Sequence, residues 1–180
     1  MSEITTKIRK IVEERCSDDW DMNYHLKPVV KYALVLAKTL GADKEIVEIA
    51  AWLHDITRLG GEDEEHHISS ATEAEKILNE LNYDKKKIQI IKHAILTHRS
   101  KMSKERKTVY DHIIASADAM AKFEDPAAMF YMAFNVKKLG VEEGKEWLRK
   151  KFEKSWHKMI PEAKELVKEK YDFLMNMLAE

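Results

Sequence analysis

Turn-forming residues are scarce in this chain, with 5 glycines and 3 prolines among its 180 residues. Average proteins contain about 12% of these two residue types together, and all-β folds need them at many tight turns. The scarcity therefore argues against a sandwich or a barrel and favours long helices. Hydrophobic residues make up 44% of the chain, which is enough for a core and excludes a mainly disordered protein.

Helical spacing and capping signals recur along the whole length. A first helix is expected to end near Ser17, and an apolar stripe over residues 26–40 is closed by Gly41, a typical C-terminal cap. Asp43 is placed as the N-cap of the next helix. Further start signals are Ser70 with Glu73, Asp84, about Glu105 and Asp125-Pro126, and a stop signal is Gly140. These signals predict one all-α domain, residues 1–180, a bundle of about eight or nine antiparallel helices.

Several classes of protein are disfavoured by simple counts. The single cysteine, Cys16, excludes an internal disulfide and any Cys-based zinc motif. The N-terminus lacks a signal-peptide pattern and no apolar run approaches a membrane span, so we expect a cytoplasmic protein with no membrane partner. A formal net charge of −1 argues against a nucleic-acid partner.

Three sites carry ionisable residues in unusual surroundings. His54-Asp55 ends an apolar run over residues 49–53, and Asp118 is the only charge within residues 113–121. For His54-Asp55, the alternative is a helix end that emerges into solvent. For Asp118, the alternative is an exposed stripe that it shares with Asp111. His25, one residue before the apolar stripe, would not be notable on its own.

Taken together, these residues offer two imidazoles and two carboxylates from separate helices. Such ligands suit divalent ions such as Mn, Ni, Fe, Zn or Mg, and a bundle core can hold a site of this kind. With open coordination positions for water, the chemistry would be hydrolytic.

The same residues give the chain a resemblance to the HD-domain metal-dependent phosphohydrolases. The signature of that family is a histidine, a His-Asp dyad at a helix end, and a distant aspartate. It is met here by His25 in NYHLKPVV, His54-Asp55 in IAAWLHDITR and Asp118 in IIASADAMAKF. HHISSATEAEKIL, which contains His67, and IIKHAILTHR, which contains His98, also resemble helices of small HD hydrolases. The resemblance covers residues 20–125 and implies a helical bundle of the HD type.

The resemblance also implies roles for particular residues. His25, His54, Asp55 and Asp118 would be the metal ligands, and Asp55 would also act catalytically by orienting or deprotonating the attacking water.

Three more histidines are candidates for a second metal, which some relatives bind, or for the substrate phosphate: His67, His98 and His93. His93 and His98 diverge by about 140° on an ideal helix, so both cannot face one site. His66, next to His67, is expected to point elsewhere. Exposed or capping histidines are the alternative interpretation of all three candidates.

Arg58 lies three residues after Asp55 and Arg99 directly follows His98, and at these positions bidentate contacts would bind a phosphate. The alternative is a pair of solvated loop cations. Many HD hydrolases have Gly-Lys shortly after the dyad, whereas residues 56–59 read Ile-Thr-Arg-Leu here. This departure weakens any analogy to cyclic-dinucleotide phosphodiesterases. Glu62-Asp63 resembles a pair found in relatives that hydrolyse guanosine tetraphosphate, but it lies in an acidic loop and is interpreted as solvated.

Residues 126–180 carry no assignable motif and are expected to complete the bundle by core packing. A lid over the cleft or a surface for a homodimer is the alternative.

We predict a phosphohydrolase, either a phosphomonoesterase or a nucleotide pyrophosphohydrolase, that acts on a small phosphorylated metabolite, with a nucleotide favoured. The alternative is a non-catalytic HD module that binds a ligand or a protein partner.

Overall fold

Helices account for the architecture that the computed structural model describes, over residues 2–16, 19–60 and 65–179. They are α1 (Glu3–Arg15), α2 (Asp19–Asp21), α3 (Lys27–Leu40), α4 (Lys44–Leu53), α5 (His66–Glu80), α6 (Lys85–Thr97), α7 (Val109–Ala121), α8 (Pro126–Tyr131), α9 (Val141–Lys158) and α10 (Pro161–Met177). π-Helical turns cover Met22–Leu26 and Met132–Val136, and 3-10 turns cover Arg58–Gly60 and Ser100–Glu105. No strand occurs within these ranges, which confirms the all-α bundle. None of the described helices has the length and apolar character needed to cross a membrane.

Local capping chemistry fixes several helix ends where the sequence placed them. Gly41 has a left-handed φ of 66° and ends α3, a conformation that glycine adopts without steric cost. The Asp43 carboxylate accepts a hydrogen bond from the Glu45 amide at 2.9 Å and so begins α4. Asp84 caps α6 in the same way, and α8 begins at Pro126.

Three predicted ends are wrong. The helix expected to open at Ser70 begins at His66, and the Ser70 hydroxyl lies 2.9 Å from the Thr57 hydroxyl inside the bundle. The helix expected from about Glu105 begins at Val109, after a capping box of Thr108 and Asp111. The Thr108 side chain caps the first amides of α7, whereas α5 begins without a side-chain cap.

Gly140 does not end the helix before it. That helix ends with the π turn at Val136, and Gly140 is the N-cap of α9. Ser17 and the Glu62-Asp63 pair lie outside the described residues.

The core is built around α3 and α7, which pack against each other; α3 also packs against α4, and α7 also packs against α6 and α9. The C-terminal helices join this core through aromatic rings. The Phe123 ring centroid lies 5.3 Å from that of Phe152 on α9 and 6.2 Å from that of Tyr171 on α10. Phe123 and Phe152 are fully buried. Core packing therefore accounts for these aromatic residues, and one end of the bundle is left for a cleft.

Candidate metal centre

Four of the residues singled out in the sequence meet at one end of the bundle. His25 lies in the π turn before α3, His54-Asp55 follows the last residue of α4, and Asp118 lies on α7. His25 Nε2 is 3.1 Å from His54 Nε2 and 3.2 Å from Asp55 Oδ2. Asp118 Oδ1 is 3.9 Å from His25 Nε2. The His25, His54 and Asp55 atoms are close enough together to hold one metal ion.

Backbone carbonyl groups orient two of the imidazoles. His54 Nδ1 lies 2.8 Å from the Ala51 carbonyl oxygen, and His98 Nδ1 lies 2.6 Å from the Ile95 carbonyl oxygen. A carbonyl oxygen only accepts, so each Nδ1 donates its hydrogen and each Nε2 keeps a lone pair. Burial lowers the pKa of His54, and it lowers the pKa of His98 to about 3, so both rings are neutral. Neutral imidazoles held in this way are typical metal ligands.

The two carboxylate oxygens of Asp55 face two different sets of histidines. Oδ2 lies toward His25 and His54, whereas Oδ1 lies 3.4 Å from His66 Nε2 and 3.5 Å from His98 Nε2. Oδ1 is buried and has no hydrogen-bond partner among the described residues. Burial acts to raise the pKa of Asp55, but His54, His25 and His98 hold it well below its usual range. An ionised, bridging carboxylate among neutral imidazoles fits divalent cations on either side of it.

His66, rather than His67, completes the second set, so the expectation that His66 points elsewhere is wrong. Because α5 begins at His66, that ring is in the first turn and faces Asp55, and the next residue is rotated by about 100°. His67 is buried away from the group, with Nε2 3.6 Å from Glu65 Oε2. A helix start at His66, with Glu65 as its N-cap, is the signal that would have placed His66 in the first turn.

His93 also lies outside the group. Its Nδ1 is 2.9 Å from Asp111 Oδ1, whereas His98 reaches Asp55. The divergence expected from their spacing of five residues is confirmed. His93 is thus a partner of the α7 capping box and does not reach the metal ligands.

Asp118 is held by lysines that were not singled out in the sequence. Lys158, near the end of α9, is hydrogen-bonded to Asp118 Oδ2, and Lys122 Nζ lies 3.7 Å from Oδ1. Burial acts to raise the pKa of Asp118, but Lys122 and Lys158 hold it well below its usual range. Burial lowers the pKa of Lys158 to about 8, against the attraction of Asp118.

A cavity of about 410 Å³ opens over these groups. Arg58 and Arg99 both line it, and Arg58 Nε lies 2.9 Å from Asp55 Oδ2. Arg58 is therefore held beside the candidate metal ligands. Trp20 and Tyr24 form an aromatic wall of the cavity, with ring centroids 4.6 Å apart.

Comparisons with known proteins identify a family and a shared fold. A family model described as the HD domain matches residues 23–122. An uncharacterized protein of Clostridium beijerinckii (strain ATCC 51743 / NCIMB 8052) is 43% identical over 70 residues, which cover 38% of this chain and 45% of that protein. The alignment thus spans less than half of the relative.

A solved structure shares the fold. The crystal structure of a predicted HD superfamily hydrolase from an uncultured Thermotogales bacterium superimposes with a TM-score of 0.68. The match covers 97% of this chain and 88% of that chain, at 20% sequence identity. At this identity the likeness establishes the architecture alone.

Proposed function

The chain belongs to the HD-domain family, and from this premise we propose that it is a metal-dependent phosphohydrolase acting on a small phosphorylated metabolite, with a nucleotide as the favoured class. The observation that carries the proposal is the placement of Asp55. Its two oxygens face two sets of histidines on the floor of a cavity that is also lined by arginines. The structural neighbour is described as a predicted HD superfamily hydrolase, and this description is consistent with the proposed hydrolytic chemistry.

The proposed ligands of one ion are His25, His54, Asp55 and Asp118. A second group, Asp55 with His66 and His98, offers ligands for another ion. A divalent ion bound here lowers the pKa of its water and polarises a phosphoryl oxygen. Imidazole and carboxylate ligands admit Mn, Ni, Fe, Zn or Mg.

The protein's own contribution is to position the phosphate and the attacking water. Arg58, fixed by Asp55 at 2.9 Å and by Asp21 at 3.6 Å, presents its guanidinium group to the cavity. A guanidinium group beside the reacting phosphorus stabilises the charge that develops on the phosphoryl oxygens. Asp55 also orients the water in this proposal, because its Oδ1 has no hydrogen-bond donor among the described residues.

The aromatic wall supports a nucleotide over a simple sugar phosphate. Tyr24 is 42% exposed, and Trp20 lies against both Tyr24 and Tyr131, with a ring centroid distance of 4.9 Å to the latter. Base–aromatic stacking of this kind contributes about 1–3 kcal/mol and tolerates any base. Cytoplasmic location stays a prediction, as does the lack of a nucleic-acid or membrane partner.

The test is turnover of a nucleotide and phosphoester panel with Mn, Ni, Mg and Zn, by wild type and by Asp118→Ala. We expect wild type to hydrolyse at least one compound and Asp118→Ala to lose about a hundredfold or more, as for other groups that stabilise a transition state. Asp172→Ala, an exposed aspartate paired with Lys168 on α10, is the control and should keep full activity. Undiminished turnover in Asp118→Ala contradicts the site. A wild-type protein that is inactive with every metal favours the non-catalytic module instead.

A further inference from the structure

One face of α9 presents lysines to the same cavity. Lys151, Lys154 and Lys158 are spaced three and four residues apart, so they lie along one side of the helix. All three line the cavity, together with Lys122 from α7. Lys122 and Lys158 already contact Asp118, which leaves Lys151 and Lys154 as a separate pair further along the helix.

The lysines on the cavity side differ from others on α9 in their partners. Lys150 lies 3.0 Å from Glu146, and Lys145 lies 3.8 Å from Glu142. By contrast, no described carboxylate lies within 4 Å of Lys151 or Lys154. Lys145 and Lys150 are thus paired with acidic residues of their own helix, whereas Lys151 and Lys154 have no carboxylate partner among the described residues.

The lysines around the cavity lie close enough to affect one another's charge. Burial, followed by the nearby charges of Lys122, Lys154 and Lys137, lowers the pKa of Lys151. The Lys151 ammonium group also lies 5.2 Å from the centroid of the Trp147 ring, which holds its side chain in place. Like charges held together are unfavourable unless an anion binds between them, so the arrangement is suited to an anionic ligand.

The cavity is also larger than one phosphate requires. Its volume of about 410 Å³ falls in the usual range for small-molecule sites, and its lining includes Asp55 and Arg58 as well as Lys151 and Lys154 of α9. A ligand with a phosphoryl group at the metal end therefore has room for a second anionic group near the lysines.

We propose that Lys151 and Lys154, assisted by Lys122, bind a second phosphoryl group of the substrate, so that the protein prefers compounds with at least two linked phosphoryl groups over monophosphates. This inference rests on the proposed function, because it assumes that a first phosphoryl group of the substrate reacts at the metal ligands. It assigns a specificity role to α9, which carries no motif in the sequence.

The first test measures binding, which does not depend on turnover. Calorimetric titration of the full-length, metal-loaded protein compares imidodiphosphate, a pyrophosphate analogue that resists hydrolysis, with orthophosphate. We expect wild type to bind imidodiphosphate about tenfold more tightly, because it makes additional charge-assisted contacts. The double variant Lys151→Gln/Lys154→Gln should lose this preference and bind orthophosphate as before.

The matched control is Lys145→Gln/Lys150→Gln, which removes the same charge from the same helix at two lysines that do not line the cavity. It should bind both anions as wild type does, with the same metal content. Equal affinity of wild type for the two anions contradicts the proposal, and so does an equal loss in the two double variants.

The second test separates this inference from the proposed function. The ratio of kcat/KM for a nucleoside triphosphate to that for the monophosphate should fall about tenfold in Lys151→Gln/Lys154→Gln, through KM rather than kcat. A wild-type protein that hydrolyses nothing but prefers imidodiphosphate refutes the proposed function and keeps the subsite. An active protein whose ratio is unchanged in the variant refutes the subsite and keeps the function.

Discussion

Phe152 connects α9 to the rest of the bundle, and its truncation to alanine tests whether the C-terminal helices belong to the same cooperative unit. The side chain is fully buried, and its ring packs 5.3 Å from that of Phe123, which is also fully buried. Phe152→Ala removes the ring and leaves a cavity between α7 and α9. Substitutions of this kind cost about 3–5 kcal/mol, from lost transfer free energy and lost packing.

The expected shift can be measured by heat or by urea. In a domain of this size each kcal/mol lowers the melting temperature by about 2–4 °C, so Phe152→Ala should lower it by roughly 6–20 °C. Scanning calorimetry should show one transition in wild type and variant alike. The free energy of unfolding from urea titration followed by circular dichroism should fall by the same 3–5 kcal/mol estimated for such truncations, within about 1 kcal/mol.

Phe173→Ala is the control, because that ring is on α10 and is 67% exposed. Its effect should stay within about 0.5 kcal/mol. A loss below about 1 kcal/mol for Phe152→Ala contradicts the packing account. Two separate transitions in wild type would contradict a single domain over residues 1–180.

Three further outcomes are expected. Mn²⁺ at a hundredfold excess over its Kd should raise the free energy of unfolding by about 2.7 kcal/mol, visible as a higher melting temperature that a chelator reverses; no shift would argue against binding to the folded state. His66→Ala should lower the metal content of the purified protein while His67→Ala leaves it unchanged, because only His66 faces Asp55; the opposite pattern would make His67 the ligand. The Lys31 hydrogen bond lowers the pKa of Glu124, so its carboxylate stabilises the fold above the ordinary pKa and loses that effect as the pH falls toward the native pKa. The urea midpoint of Glu124→Gln should accordingly depend less on pH below about pH 5, and an unchanged slope would contradict the ion pair's contribution.

Local chemistry explains why much of the fold was predictable. Gly41 and Asp43 cap helices through amides and carbonyls that lie within a few residues, so the sequence alone predicts their effect. The helix start predicted at Ser70 is wrong because a serine followed by a glutamate also occurs inside helices. The hydrogen-bond partner of Ser70, Thr57, is 13 residues away in the chain. A capping pattern is therefore reliable only where no tertiary contact competes for the side chain.

The candidate site also contains some residues that the sequence predicted correctly and others that it did not. His54, Asp55 and Asp118 were singled out by their apolar surroundings, and the resemblance added His25 and the ligand roles. The structure brings the four residues together, although their role as ligands stays a prediction. The choice between His66 and His67 depends on where α5 begins, because a shift of one residue turns a side chain by about 100°.

The positions of the α9 lysines in the cavity depend on packing between helices that are far apart in the sequence. Lys158 reaches Asp118 across 40 residues of sequence, and only the docking of α9 on α7 places it there. The spacing of Lys151, Lys154 and Lys158 on one helix face was the available signal, but it does not say what that face covers.

The most direct test of the metal centre is anomalous diffraction from a crystal of the Mn²⁺-loaded protein. We predict a peak within coordination distance of His25 Nε2, His54 Nε2 and Asp55 Oδ2, with Asp118 as a further ligand after release from Lys158. A second peak beside Asp55 Oδ1, His66 and His98 would show a dinuclear site. A loaded crystal with no anomalous peak at these atoms, or with peaks only elsewhere, would contradict the account.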